Sequence, residues 1–165
     1  MNDLTIRPVS PVDYESIARI YNHYILNTVI TFEEAPVSAQ VMAARVAEVF
    51  DASLPWLVAE VDGMVTGYAY ATRWKSRSAY RHTVETTVYL ENGRERQGLG
   101  ARLYGELISV LREQGLHVAI GGAALPNNAS AALHEKLGFE HVATFRQVGF
   151  KQGRWVDVAY WQIVL

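Results

Sequence analysis

Apolar residues recur at two different periods along this chain. Residues 4–8 alternate and predict a short strand, whereas Ile17, Ile20, Tyr21, Tyr24 and Ile25 fall at helical spacing over roughly 11–26, with Ser10 or Asp13 as its cap. A brief β-rich run comes next at 28–32. Ser38 then opens a second helix to about Val49, with Val41, Met42, Arg45, Val46 and Val49 on one stripe. From there the period changes. Residues 55–73 hold two β-runs around Asp62-Gly63, a dipeptide typical of tight hairpins, and 82–91 is a third run rich in β-branched and aromatic residues. A glycine-containing loop leads into a helix that reaches about Gln114, with Gly115 where a C-terminal cap glycine belongs. Residues 116–122 predict a strand, 126–139 a short helix stopped by Gly138, and 139–150 with 154–164 a closing hairpin.

Hairpin-linked strands are antiparallel, and a strand–helix–strand crossover favours a parallel pair. The expected fold is therefore α/β of the α+β kind: a mixed, mostly antiparallel sheet with helices on both faces, in one domain over 1–165. A doubly wound dinucleotide fold would alternate strand and helix throughout, and this order does not.

Composition narrows the function classes. The chain has 165 residues, 50% of them hydrophobic, and a net charge of −2. That is enough chain for a sizeable core, and the charge suggests neither a nucleic-acid nor a membrane-surface partner. The absence of cysteine excludes disulfides, thiolate metal sites and a cysteine nucleophile. The first ten residues lack the apolar core of a signal peptide, and no stretch has the length of a membrane span. The expectation is a cytoplasmic protein without a metal.

The first chemistry lies in the loop at 94–101, Arg-Glu-Arg-Gln-Gly-Leu-Gly-Ala. Glycines there let a backbone approach a ligand. The first N–H groups of a helix lack internal partners and carry the positive end of its dipole, a combination suited to a phosphate. A tight turn that only feeds a helix is equally consistent with this stretch alone. Downstream stands Asn127, then Ser130, and then Leu133-His134-Glu135-Lys136-Leu137-Gly138-Phe139.

Together these two segments resemble the signatures of the GNAT superfamily of acetyl-CoA-dependent N-acetyltransferases. The segments at 55–63, 68–90, 125–139 and 149–162 further resemble its phosphinothricin and methionine sulfoximine N-acetyltransferase branch, over roughly residues 4–163. One position departs from the loop signature: Glu95 stands where the family has Gln or Arg, and a carboxylate there repels a pyrophosphate unless Arg94 and Arg96 compensate or it turns to solvent.

The resemblance implies specific roles. Acetyl-CoA is the cosubstrate, with its pyrophosphate on Arg94, Arg96, Gln97, Gly98, Leu99, Gly100 and Ala101. Its thioester lies beside the strand Val88, Tyr89 and Leu90, where a backbone N–H near Val88 or Leu90 receives the oxyanion. Asn127 and Ser130 meet the pantetheine arm, although an asparagine heading a helix also serves as a plain cap. Glu85 is implied as the base that deprotonates the amine; a free glutamate, with a pKa of about 4.3, is ionised at neutral pH. A solvated strand charge is its bland alternative. His134 takes the place of a family tyrosine as hydrogen-bond or proton donor to the departing thiolate, against a reading in which it only packs.

Arg73, Lys75 and Arg77 form a cationic segment fit to receive the carboxylate and head group of a glutamate-like acceptor, with Tyr80 and Phe32 as apolar walls; a basic loop is otherwise a solvated face. The branch also implies a homodimer. An acetyltransferase with another acceptor, such as a polyamine, an aminoglycoside or a protein N-terminus, is the main alternative. A non-catalytic acyl-CoA-binding module is a second, and a plain nucleotide-binding unit is disfavoured because no Gly-Lys-Ser follows the loop.

Overall fold

A computed structural model describes residues 3–165. Its strands are β1 (Leu4–Pro8), β2 (Trp56–Val61), β3 (Met64–Arg73), β4 (Thr83–Leu90), β5 (Val118–Ala124), β6 (Glu140–Lys151) and β7 (Arg154–Val164). Its helices are α1 (Tyr14–Asn27), α2 (Ala39–Asp51), α3 (Leu99–Glu113) and α4 (Asn128–Lys136), with single 3-10 turns at Pro11–Asp13 and Ser78–Tyr80. All seven strands join one sheet in the order β1-β2-β3-β4-β5-β7-β6. β4 and β5 are parallel, and every other neighbouring pair is antiparallel.

Local chemistry accounts for the element ends. Ser38 caps α2 by accepting the Val41 N–H at 3.2 Å. At the start of α1, the Asp13 carboxylate accepts the Ser10 N–H and two N–H groups of Arg7, at 2.8, 2.8 and 2.9 Å. Asp62 and Gly63 both have positive φ, as do Gln152 and Gly153, which matches the twist that two-residue hairpins need. The run at 28–32, β-rich in sequence, forms no strand. It is held by side chains instead: the Tyr21 hydroxyl lies 2.7 Å from Thr31 Oγ1, and Lys151 donates to the Thr31 carbonyl at 2.8 Å.

Period-two alternation gives the sheet two faces. Register partners Trp56 and Tyr70 stack at 4.0 Å, and Tyr68 and Tyr89 continue the same aromatic layer, on which Tyr21 and Tyr24 of α1 pack edge-on or tilted. The opposite face carries Leu103, Leu107 and Leu111 of α3, all fully buried. Helices thus cover both faces, as the hydrophobic periods require.

Candidate active site

Pairing between β4 and β5 covers only Thr83–Thr86 against Val118–Gly121. Beyond it, β4 continues to Leu90 on β3 alone, and β5 continues to Ala124 on β7 alone. The two strands part, and a cleft of about 800 Å³ opens between them. The Glu91 N–H donates to Thr66 O on the β3 side. Alternation along β4 therefore turns the N–H groups of Val88 and Leu90 away from β3, toward the side from which β5 has withdrawn. Tyr24 donates to the Leu90 carbonyl at 2.6 Å, leaving that N–H as the free group of the pair.

The glycine loop closes one end of this cleft. Gly98 has φ +77 and nothing within 4 Å of the place a Cβ would take, so the backbone conformation, rather than space, calls for glycine. The N–H groups at the head of α3 face open space beside Gly98, Gly100 and Ala101, which line the cleft with Arg96. Arg94 pairs instead with Glu91 at 3.6 Å, and Leu99 is buried in the core. Gln97 is exposed outside the cleft lining. Glu95 folds back to accept the Gly93 N–H at 2.9 Å. Its charge is thereby partly satisfied within its own loop, and Arg96 rather than Arg94 is the cation beside it.

Glu85 stands half-buried on the cleft wall, on the same strand face as Thr87 and Tyr89. Burial raises its pKa, and the Lys75 charge opposes that shift without cancelling it. Thr86, the next residue, faces α3, where its Oγ1 lies 2.5 Å from the Tyr104 hydroxyl. Tyr104 in turn lies 3.2 Å from Nε2 of His134.

His134 is buried, stacked on Trp161 at 5.2 Å, and its Nδ1 lies 2.7 Å from the Ser130 carbonyl. A carbonyl only accepts, so Nδ1 carries the hydrogen. Burial lowers the histidine pKa, with the Ser130 bond opposing. As a neutral ring it has no hydrogen at Nε2, so donation from that atom requires the imidazolium that burial disfavours. A Cβ on Gly121 would overlap this ring and come within 2.9 Å of the Tyr104 hydroxyl, so the close approach of β5 to this pair requires glycine.

Asn127 caps α4 by accepting the Ser130 N–H at 3.0 Å, and both residues line the cleft. The capping alternative is therefore realised by Asn127 rather than Asn128, and the Asn127 amide N–H groups remain available. Phe32 lines the cleft as well.

The basic segment does not line the same cleft. Arg73 is the register partner of Val84 and lies on the α3 face of the sheet, opposite to Glu85. With Lys75 and Arg77 it lines a second cavity of about 570 Å³ against Leu54 and Leu116. Only Lys75 is near enough to act on the Glu85 charge. Arg77 lies over the Tyr80 ring at 5.5 Å, outside the cleft lining. Strand parity cannot be carried through a hairpin end from sequence, and residues 74–82 leave the sheet there.

Several cleft residues escaped the sequence reading, among them Tyr24, Thr86, Tyr104 and Lys136. Tyr104 falls on the apolar stripe of α3 with Leu103 and Leu107, and so reads as core. Among the described residues no group of three or more His, Cys, Asp or Glu could hold a metal.

A parted parallel strand pair, a left-handed glycine at a helix N-terminus and a carboxylate in the cleft suit a transferase whose cosubstrate carries a phosphate and an extended arm. The acetyltransferase (GNAT) domain family matches residues 6–160, and the chain belongs to it, as an acetyl-CoA-dependent N-acetyltransferase. It is 41% identical over 157 residues to the phosphinothricin N-acetyltransferase of Streptomyces viridochromogenes, covering 95% of this chain and 85% of that one. It is 38% identical over 162 residues to the L-methionine sulfoximine/L-methionine sulfone acetyltransferase of Salmonella typhimurium, covering 98% and 94%. The crystal structure of a phosphinothricin acetyltransferase from Sinorhizobium meliloti in complex with acetyl-CoA superposes with TM-score 0.95 at 37% identity, over 98% of this chain and 88% of that one. The site fits the cosubstrate: free helix N–H groups at Gly98–Ala101 suit its pyrophosphate, and the gap between β4 and β5 suits an extended arm that pairs with backbone. Among the described residues no helix is long and apolar enough to cross a membrane.

Proposed function

We propose that this enzyme moves acetyl from acetyl-CoA directly to the α-amine of a compact, glutamate-like molecule such as phosphinothricin, methionine sulfoximine or methionine sulfone. The observation that carries this reading is the half-buried Glu85 carboxylate in the cleft where β4 and β5 part. An ammonium has no lone pair, so the acceptor first gives a proton to Glu85, directly or through water; the raised pKa brings this base closer to the amine it serves. The amine nitrogen attacks the thioester carbon, and the developing oxyanion is received by the Val88 or Leu90 N–H. The C–S bond then breaks with its electron pair on sulfur, and the second proton of the nitrogen passes through water to that thiolate, giving free CoA-SH, while Glu85 returns its proton to solvent. His134, held by Ser130 and Tyr104, faces this end of the cleft and assists the thiolate as far as its imidazolium is populated.

Two further readings accompany this one. Val142, Phe145, Val148, Phe150 and Trp155 are exposed on the β6–β7 hairpin, and β6 is an unpaired sheet edge; both support a homodimer, to be tested by sedimentation at several concentrations. Consumption of acetyl-CoA supports a cytoplasmic location. For the acceptor, one observation favours a broader alternative, acetylation of ordinary amino acids: Arg73 and Arg77 do not line the cleft, which leaves the head group fewer cations than expected.

The deciding experiment is CoA-thiol release with phosphinothricin, methionine sulfoximine, methionine sulfone, glutamate, neutral amino acids and spermidine as separate acceptors. Saturation by the first three with little response to glutamate supports the proposal. Equal rates with neutral amino acids favour the broader reading, and rates with spermidine alone overturn both.

A further inference from the structure

The outer edge of the sheet backs the cleft wall at one point, behind Phe32. Between Phe145 and Gly149 the pairing of β6 with β7 shifts register, with Gln147 at φ 56 and its N–H bonded to the Asp157 carboxylate at 2.8 Å. Such a bulge bends a strand and re-aims the side chains beyond it. Pairing resumes at Gly149, opposite Val156. There the ring of Phe32 lies directly against the glycine: a Cβ would come within 2.6 Å of three ring carbons. Gly149 is not among the residues of positive φ, so what requires glycine is room for the ring.

Two residues further, on the same strand face, Lys151 is only 3% exposed and donates to the Thr31 carbonyl at 2.8 Å. Strand β6 therefore holds residues 31–32 at two adjacent points. From the other side, the Tyr21 hydroxyl holds Thr31, and Arg45 holds Glu33 through bonds of 2.9 and 2.6 Å. The backbone of 31–33 is clamped between α1, α2 and β6. The Phe32 ring, which is 40% exposed, is left with one open side, the cleft that also contains Glu85.

We propose that Gly149 is a specificity-determining residue of the acceptor pocket. Its missing side chain sets how far Phe32 withdraws from the cleft, and so how large an amino-acid head group fits in front of Glu85. A side chain at 149 pushes the ring toward the acceptor, because the clamp on Thr31 and Glu33 prevents the whole segment from retreating. The proposal rests on the reading that Phe32 borders the acceptor.

The test compares Gly149→Ala, Phe32→Ala and the double variant, measuring acetyl-CoA Kd by calorimetry and acceptor KM and kcat with whichever panel member is turned over. Displacement of a substrate by about 1 Å can cost on the order of 100-fold. Gly149→Ala is therefore expected to raise acceptor KM by about tenfold or more, with acetyl-CoA Kd within about twofold of the parent. Adding Phe32→Ala to it should return the KM to that of Phe32→Ala alone, since without the ring nothing clashes. An unchanged KM in Gly149→Ala, or additive effects in the double variant, overturns the proposal. If Phe32→Ala by itself leaves acceptor KM and acceptor preference unchanged, the placement of Phe32 at the acceptor fails instead. Should Gly149→Ala not fold, Lys151→Met reads the same clamp, with acceptor KM raised and acetyl-CoA Kd unchanged; no change in KM there also counts against it.

Discussion

Glu85 and Thr86 are consecutive residues that serve opposite faces of the sheet, one turned to the face that carries Thr87 and Tyr89 and the other bonded to Tyr104 beneath α3. The place where β4 and β5 part lies just beyond them. The Glu85 carboxylate and the Thr86–Tyr104–His134 chain are thus set on either side of one strand, within a residue of each other.

Glu85→Gln is nearly isosteric and removes the proposed base. Turnover is expected to fall by about 10²- to 10⁴-fold, with acetyl-CoA affinity unchanged by calorimetry. Survival of turnover within a few-fold means that another group takes the proton.

The same carboxylate governs a pH effect on stability. Its folded pKa is raised, so the native state binds more protons than the unfolded one, and its contribution to stability is lost as pH rises from the unfolded value through the folded one. Above that window Glu85→Gln should melt higher than the parent, and the two should converge at low pH. A melting series across pH 4–8, the range about the ordinary carboxylate value, reads this directly; a lower melting temperature for the variant at neutral pH contradicts it.

Asp13 behaves in the opposite sense. Burial alone raises its pKa, but the Arg7 guanidinium and the Ser10 N–H outweigh this and hold it below the ordinary value. Its contribution is present above the unfolded pKa and is lost as pH falls through the folded one. Asp13→Asn should cost about 1–3 kcal/mol at neutral pH, shrinking toward zero in acid, as read by urea titration at both conditions.

Tyr104→Phe preserves the ring beside His134 and Phe139 but strips the hydroxyl. Thr86 can turn to the Ile120 carbonyl at 3.3 Å, whereas Nε2 of His134 loses its only partner. A loss of about 1–3 kcal/mol is expected for that unsatisfied group, together with a changed ¹⁵N shift at Nε2 and an unchanged one at Nδ1. Equal movement of both nitrogens means the tautomer assignment is wrong.

Gly98→Val forces a branched side chain into φ +77, where it costs about 1–3 kcal/mol, and disturbs the N–H groups beside it. The Kd for CoA should rise at least tenfold. Gly100→Ala meets Leu90 and Leu133 at 3.4 and 3.5 Å and should be far milder. Equal effects of the two remove the case for a backbone anion site.

Periodicity and turn chemistry were sufficient for the element order, the two hairpins and the mixed sheet, because apolar spacing and residues such as Asp62-Gly63 act over a few neighbours. They left 28–32 open, a β-rich run whose conformation is set by long-range bonds from Tyr21 and Lys151. They could not give the face of Arg73, which is decided by its pairing with Val84 on the next strand. The class of chemistry was legible through the resemblance carried by the segments at 94–101 and 127–139, because glycines before a helix and a strand carboxylate are by themselves equally a plain turn and a solvated charge. Only the tertiary structure decided which groups meet. The parting of β4 from β5, the hydrogen on Nδ1 of His134 and the seat of Phe32 on Gly149 each join residues far apart in the chain, and no local pattern encodes a distance of that kind.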